Sequence, residues 1–443
     1  RQWTPAETRH YAEWIDHLYV SKVNGDAEQR MAKIAHMLTD PEMNRLLDPA
    51  FLGQGANPQL PRSIMRSVHS VLDCAKLVEF LPAYYAYRRG LPWMVSYVWS
   101  EEGDVRTASY NIPSGSRSNF NTGSLSRFFR EILCFNSGNF RVELNNKNSH
   151  LSDTLPVAID PQYLMPGCPY YTDGHCLTLA HITDYGEPYF FHAGTATTRD
   201  IYTYNGMNVV YGITPKGSQS DEDPWAGCFQ GFRVWRYPIA ETNSQGRVTA
   251  VRRRTNAEMK AFGFSTDQYE SIGRLIDQGH IEVGGLKPTS LQDLVRLRLC
   301  RVDQINPLVF LERYAEELTQ MYALREDFVQ NAWADVQENG PITYPENDPE
   351  ANIFQARGRW ETWSSPSSDV DRRNKYFYLV EWLNYAIRWY GFAPDFLDLS
   401  GLEDLYFIRS QRTLMESLLV EKRRVFEEHE IEYRNSVGEK VTL

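Results

Sequence analysis

Apolar positions in the first 47 residues recur at helical spacing: Leu18 and Val20, then Met31, Ile34, Met37 and Leu38. A helix returns a side chain to the same face every three or four residues, so these stripes predict helices over 5–47. Asp26 suits an N-cap, and Pro41 stops the second helix. Residues 48–66 are rich in Gly, Pro, Asn and Gln and predict a surface loop.

The pattern then becomes mixed. A helix-like run spans Cys74 to Arg89, with Pro82 inside it; proline lacks an N–H and should kink or end the helix there. A hairpin is expected next, with arms Trp93–Trp99 and Val105–Tyr110 around Glu102-Gly103-Asp104. Ser114 to Gly123 reads as a polar loop and Leu125 to Phe135 as a short helix. From Pro156 onward, short β-rich runs dominate, at 175–182, 188–193, 199–204, 207–213 and 229–237. Beyond about residue 241 the chain is largely helical, with candidates at Glu312–Val336, Asp369–Tyr390 and Leu402–Tyr433 and a long loop over 338–368. The expected fold class is α+β: a helical region over 1–66, a mixed core over 67–240 and a mainly helical region over 241–443.

Composition narrows the field. The chain has 443 residues, enough for two or three domains at roughly 150 residues each. With 11 Trp, 26 Tyr and 21 Phe it is far from a disordered composition. Six cysteines are too sparse to replace a core with disulfides. The net charge of −11 argues against a nucleic-acid binder, which needs a basic face. No apolar run approaches the roughly 18 residues of a membrane helix, so no integral membrane segment is expected. The chain begins Arg-Gln-Trp without Met, which suggests either a trimmed chain or a mature form after processing.

Common chemical signatures are missing: no phosphate loop, no G-x-G-x-x-G after a strand, no G-x-S-x-G elbow and no H-E-x-x-H. No cofactor is expected. His175 and His181 share a strand face, but six residues at about 3.3 Å each place them roughly 20 Å apart. Cys176 alternates to the face opposite His175, so no metal site is expected either. What remains is a cysteine nucleophile. Asp73 suits the N-cap of the middle helix, which puts Cys74 in the first turn. The free N–H groups and the helix dipole favour an anion there, so a thiolate at Cys74 is stabilised, and Lys76 would add to this. The alternative is a small buried hydrophobe, the usual fate of a free cysteine.

A base is needed beside it. Two antiparallel strands are expected around a turn at Thr183–Gly186, with His175 early in the first and His192 late in the second. A turn centred at Thr183–Asp184 pairs the two histidines directly. A turn centred on Tyr185 moves His192 three residues, about 10 Å, out of register, unless a bulge near Pro188 repairs it. Structural histidines are the alternative for both. Trp93, Tyr171 and Asp173 are candidate substrate-binding residues, the aromatics stacking on sugar or lining a peptide groove; hydrophobic core is the other reading of the aromatics.

Taken in order, these segments resemble the NlpC/P60 superfamily of papain-like cysteine peptidases: Asp73-Cys74-x-x-Leu77-Val78 opening a helix, Pro166-Gly167 before a strand, Gly174-His175 with alternating apolar residues, then Phe191-His192-Ala193. The resemblance covers about 70–240. It implies a Cys-bearing helix packed on an antiparallel sheet, with Cys74 as nucleophile, His175 as general base and His192 as the orienting residue. It also implies peptide or peptidoglycan stem-peptide substrates, thioester chemistry and a periplasmic or secreted location. Ala75-Lys76 replaces the family's usual Ser-Gly, and Cys168 stands where an Asp is usual. The rival readings are a non-catalytic cell-wall glycan- or peptide-binding protein with a degenerate peptidase core, and an interaction protein that works through its C-terminal helices.

Overall fold

A computed structural model describes residues 1–26, 29, 32–144, 149–172, 175–193, 201–205, 229–341, 376, 383–384, 386–402, 408–429, 432–434 and 439–442. Within these, side chains are not described at 192, 201–205, 320–321, 323–328, 432–434 and 441–442. The chain forms two compact units, Arg1–Ile281 with Thr289–Cys300, and Glu282–Pro288 with Arg301–Leu443. The expected boundaries at 66 and 240 therefore fall inside the first unit.

The first unit is α+β. Its leading helices are α1 (Pro5–Asn24), α2 (Ile34–Thr39), α3 (Arg62–Val71) and α4 (Cys74–Arg89). Asp26 accepts a hydrogen bond from the Gln29 N–H at 2.9 Å, the capping geometry expected of it. α2 ends before Pro41. The expected loop over 48–66 contains a short helix, Pro49–Leu52, and the first turn of α3.

α4 is the central element. Twelve of its residues are buried, on all sides of the helix, which marks a core helix rather than an amphipathic surface one. Pro82 does not end it: α4 runs unbroken to Arg89 and closes on Gly90 in the left-handed conformation. Leu77, Val78, Leu81 and Ala83 are all buried around the proline, so tertiary packing holds the turn that lacks one backbone hydrogen bond. On one side Tyr84 and Tyr85 pack against Tyr11 and Trp14 of α1. On another, Phe80 meets Phe129 of α5 (Leu125–Ile132).

α4 also packs on a six-stranded sheet. Its strands are β3 (Thr154–Pro156), β4 (Pro169–Thr172), β5 (His175–Ile182), β6 (Pro188–Ala193), β7 (Ile201–Asn205) and β8 (Gly231–Trp235), in the order β3-β8-β4-β5-β6-β7 with antiparallel neighbours throughout. The expected strand at 207–213 lies outside the described residues. A separate hairpin pairs β1 (Met94–Trp99) with β2 (Ile112–Ser118). This corrects the expected hairpin: Val105–Tyr110 forms turns, and part of the expected polar loop is the second strand. β2 reads Ile-Pro-Ser-Gly-Ser-Arg-Ser, a poor strand by propensity, and it is held by pairing with β1 rather than by its own composition.

Pro166-Gly167 has a structural role. Gly167 sits at φ 93°, and a Cβ there would overlap the ring of Tyr11. Its N–H donates to the Leu179 carbonyl at 2.6 Å, and its carbonyl accepts from the Trp235 indole at 3.2 Å. The turn leading into β4 is thereby fixed on β5, β8 and α1 at once.

The second unit is mostly helical where it is described. α6 (Pro307–Asn339) covers the expected helix at Glu312–Val336, and α7 (Gln411–Glu428) lies within the expected Leu402–Tyr433 run. A short antiparallel pair, Glu432–Arg434 with Lys440–Thr442, follows. The expected loop over 338–368 starts inside α6, which runs through Asn339, and the rest of it beyond residue 341 and most of Asp369–Tyr390 lie outside the described residues. Among the described residues no helix is long and apolar enough to cross a membrane.

Candidate active site

Cys74 is the first residue of α4 because Asp73 caps the helix. The Asp73 backbone is extended, and its Oδ1 accepts from the Lys76 N–H at 2.9 Å. The first N–H groups of the helix, at Cys74 and Ala75, have no intrahelical acceptor. The Lys76 ammonium pairs with the Asp73 carboxylate, so its charge is committed to the cap rather than to the thiolate as expected.

β5 brings two residues to Cys74, which is itself half-buried. His175, the first residue of the strand, pairs with Thr172 of β4, and Cys176 pairs with Tyr171. Hydrogen bonding from Cys176 is the largest influence holding the Cys74 thiol well below the ordinary cysteine range. Burial opposes this. The charge of the His175 ring, its hydrogen bond and the Cys176 N–H add to the lowering. Cys176 is fully buried, and its own thiol is pushed well above the ordinary range, first by burial and then by the Cys74 sulfur to which it donates. Asp73 is also raised, by burial and then by the neighbouring Cys74 charge.

Alternation along β5 puts Cys176 on the face opposite His175. Both residues nevertheless act on the Cys74 thiol, because the start of α4 crosses β5 there. No pattern in the sequence encodes that crossing. Arg141, buried near Cys176, is a second residue the sequence did not single out. Its Nε donates to the Tyr171 hydroxyl at 2.6 Å and its Nη1 to the Ala108 carbonyl at 2.7 Å.

The register of β5 and β6 decides where position 192 falls. Ile182 pairs with Pro188 and His181 with Tyr189, so the turn is centred on Tyr185. Leu179 then pairs with Phe190 and Thr178 with Phe191, which leaves Ala180 as the extra residue of a bulge. The bulge is thus at Ala180, not near Pro188, and it recovers one position of the three. Continued one step, this register sets position 192 opposite Leu177 rather than His175. The His192 backbone pairs with Tyr202 of β7, and its side chain lies outside the described residues.

Trp93 and Tyr171 belong to the core, and the expectation that they meet substrate is corrected. Trp93 is 2% exposed, donates to Glu79 Oε1 at 2.7 Å and packs among Trp3, Trp235 and Tyr237. Tyr171 is 1% exposed and stacks on Phe140. Neither leaves a ring face for a ligand, because aromatics of this size dominate burial wherever a core can enclose them. Asp173 lies outside the described residues. Among the described residues no group of three or more His, Cys, Asp or Glu side chains is placed to hold a metal ion.

Beneath the site, α4 carries a buried acid. Glu79 is fully buried, its Oε2 has no hydrogen-bond partner, and burial with the nearby Asp153 charge pushes its carboxyl well above the ordinary range. Asp153 takes Arg253 as ion-pair partner and accepts from the Ser96 N–H at 3.1 Å.

No protein-family model, curated protein or solved structure matches this chain.

Proposed function

We propose that the chain is a cysteine-dependent hydrolase, a peptidase or amidase of NlpC/P60 type that works through a thioester. The observation that carries this reading is the Cys74 sulfur at a helix start, its thiol held well below the ordinary range by Cys176 and by the neighbouring His175 ring. The thiolate attacks a substrate carbonyl carbon and forms the C–S bond. The N–H groups of Cys74 and Ala75 stabilise the developing oxyanion in this reading. The His175 imidazolium then gives its proton to the leaving amine as the C–N bond breaks. Neutral His175 next takes a proton from water, whose oxygen attacks the thioester and releases the acid. His192 is the candidate for orienting His175. The substrate class that the resemblance supports is the peptidoglycan stem peptide, with a periplasmic or secreted location to match.

The test uses the full chain with a p-nitrophenyl ester, followed by muropeptide digests. A burst of nitrophenol equal to the enzyme concentration, with the acyl mass mapped to the Cys74 peptide, supports the reading. Cys74→Ala should abolish the burst, and His175→Ala should slow it by about 10²–10⁴-fold. Acylation spread over several cysteines, or an unchanged rate in His175→Ala, rejects it.

A further inference from the structure

At the end of β4 away from Cys74, the first unit holds a cavity of about 60 Å³. Leu179 of β5 exchanges backbone hydrogen bonds with Gly167 and Cys168 there, at 2.6 and 2.8 Å, whereas His175 begins the strand. Four residues at about 3.3 Å each separate the two places by roughly 13 Å. We propose that this cavity binds a short-chain monocarboxylate, with its apolar body inside and its carboxylate on Arg9. The proposal does not rest on the hydrolase reading.

The walls supply the apolar part. Met165, Val234 and Phe262 line the cavity, and Val234 and Phe262 are buried. Phe262 packs on Tyr237, another wall residue, with ring centroids 5.5 Å apart. A space of this size holds roughly four to six water-sized groups, which fits butyrate. Arg9 of α1 and Ala261 also line the cavity, and both are exposed, so they mark its open side. Among the described residues the Arg9 side chain has no hydrogen bond and no ion pair, so its guanidinium fork is open to a carboxylate.

Behind the inner wall lies an unmet donor. Gly167 sits between the wall residues Pro166 and Cys168, and a Cβ on it would overlap the Tyr11 ring, so that ring backs the wall. The Tyr11 hydroxyl is buried without a hydrogen-bond partner. After burial, Tyr237 and Cys168 weigh most on its ionisation, and both belong to the cavity wall. A buried donor left without a partner is rare in folded proteins and marks a place for water or ligand. Arg9 is the only charged residue among those that line the cavity, so the charge selects a monoanion. The apolar walls select one that carries a short hydrocarbon chain over an inorganic anion.

The test titrates the full chain, labelled with ¹³C-methyl methionine, with sodium butyrate and follows the Met165 methyl signal, assigned through Met165→Leu. That signal should shift saturably while the other methionine signals stay in place. Butanol, which keeps the chain and lacks the charge, should bind roughly tenfold or more weakly. Inorganic phosphate at equal ionic strength should leave the signal unmoved. Arg9→Gln should reduce butyrate binding to the level of butanol, and Ala261→Phe, which fills the open side, should block both. Both substituted residues are exposed, and unchanged signals from the other methionines check that the fold is kept. A Met165 signal unmoved by butyrate, equal affinity for butyrate and butanol, or unchanged butyrate binding in Arg9→Gln or Ala261→Phe overturns the proposal.

Discussion

The link from Cys176 to Cys74 is the largest influence lowering the Cys74 thiol. It joins the first residue of a helix to the second residue of a strand about a hundred positions away. The His175 charge acts from the adjacent strand residue. The Cys74 thiol is therefore lowered by two neighbours on β5, against the burial that favours the neutral thiol.

Asp73 works against the thiolate while it holds the helix. Its carboxylate caps α4 but also places a negative charge beside Cys74. Asp73→Asn should keep the cap, since both residues serve it about equally, and should lower the pH midpoint of Cys74 alkylation. Asp73→Ala should cost about 1 kcal/mol of stability by urea unfolding. A midpoint that rises in Asp73→Asn contradicts the assigned charge.

Glu79 makes stability depend on pH. Its folded carboxyl is held well above the ordinary 4.5, so the folded state binds the proton more tightly than the unfolded chain does. That contribution is fully present below the ordinary value and is lost as pH rises through the folded one. Glu79→Gln keeps an acceptor for the Trp93 indole and removes the titration. The variant should match the wild type near pH 4 and exceed it by ~1–3 kcal/mol above the folded titration. Parallel stability curves for the two proteins contradict this.

Gly167 tests the packing that sets β4 against β5. Gly167→Ala meets both a positive φ and the Tyr11 ring, and should destabilise by ~2 kcal/mol or more. Gly55→Ala has a similar positive φ but no neighbouring atoms, and should cost less. Thermal unfolding of the two variants separates the steric part from the backbone part; equal losses would mean that the Tyr11 contact contributes nothing.

What was legible in the sequence was local. The Asp73 cap, the start of α4 at Cys74 and the limits of β5 and β6 follow from capping residues and alternating patterns within a few positions. What was not legible depends on distant partners. The Ser- and Gly-rich β2 is a strand because β1 lies beside it, and Pro82 stays helical because the core encloses it. Trp93 looks like a ligand platform until Trp3, Trp235 and Tyr237 are seen around it. The bulge at Ala180 shifts position 192 by one, and no residue type there announces it. Cys176 is the largest omission, because only the crossing of α4 over the start of β5 brings it to Cys74.

The pH dependence of iodoacetamide alkylation at Cys74, followed by peptide mapping, tests the activated thiolate most directly. In the wild type the midpoint should lie well below the ordinary cysteine value of 9.0. Cys74 should also react ahead of Cys134, which is exposed but raised by burial of its sulfur, and of Cys168, buried and pushed up to about 12. The midpoint should rise in both Cys176→Ala and His175→Ala, and rise further when the two are combined. A wild-type midpoint near 9, unchanged in either variant, would contradict the account.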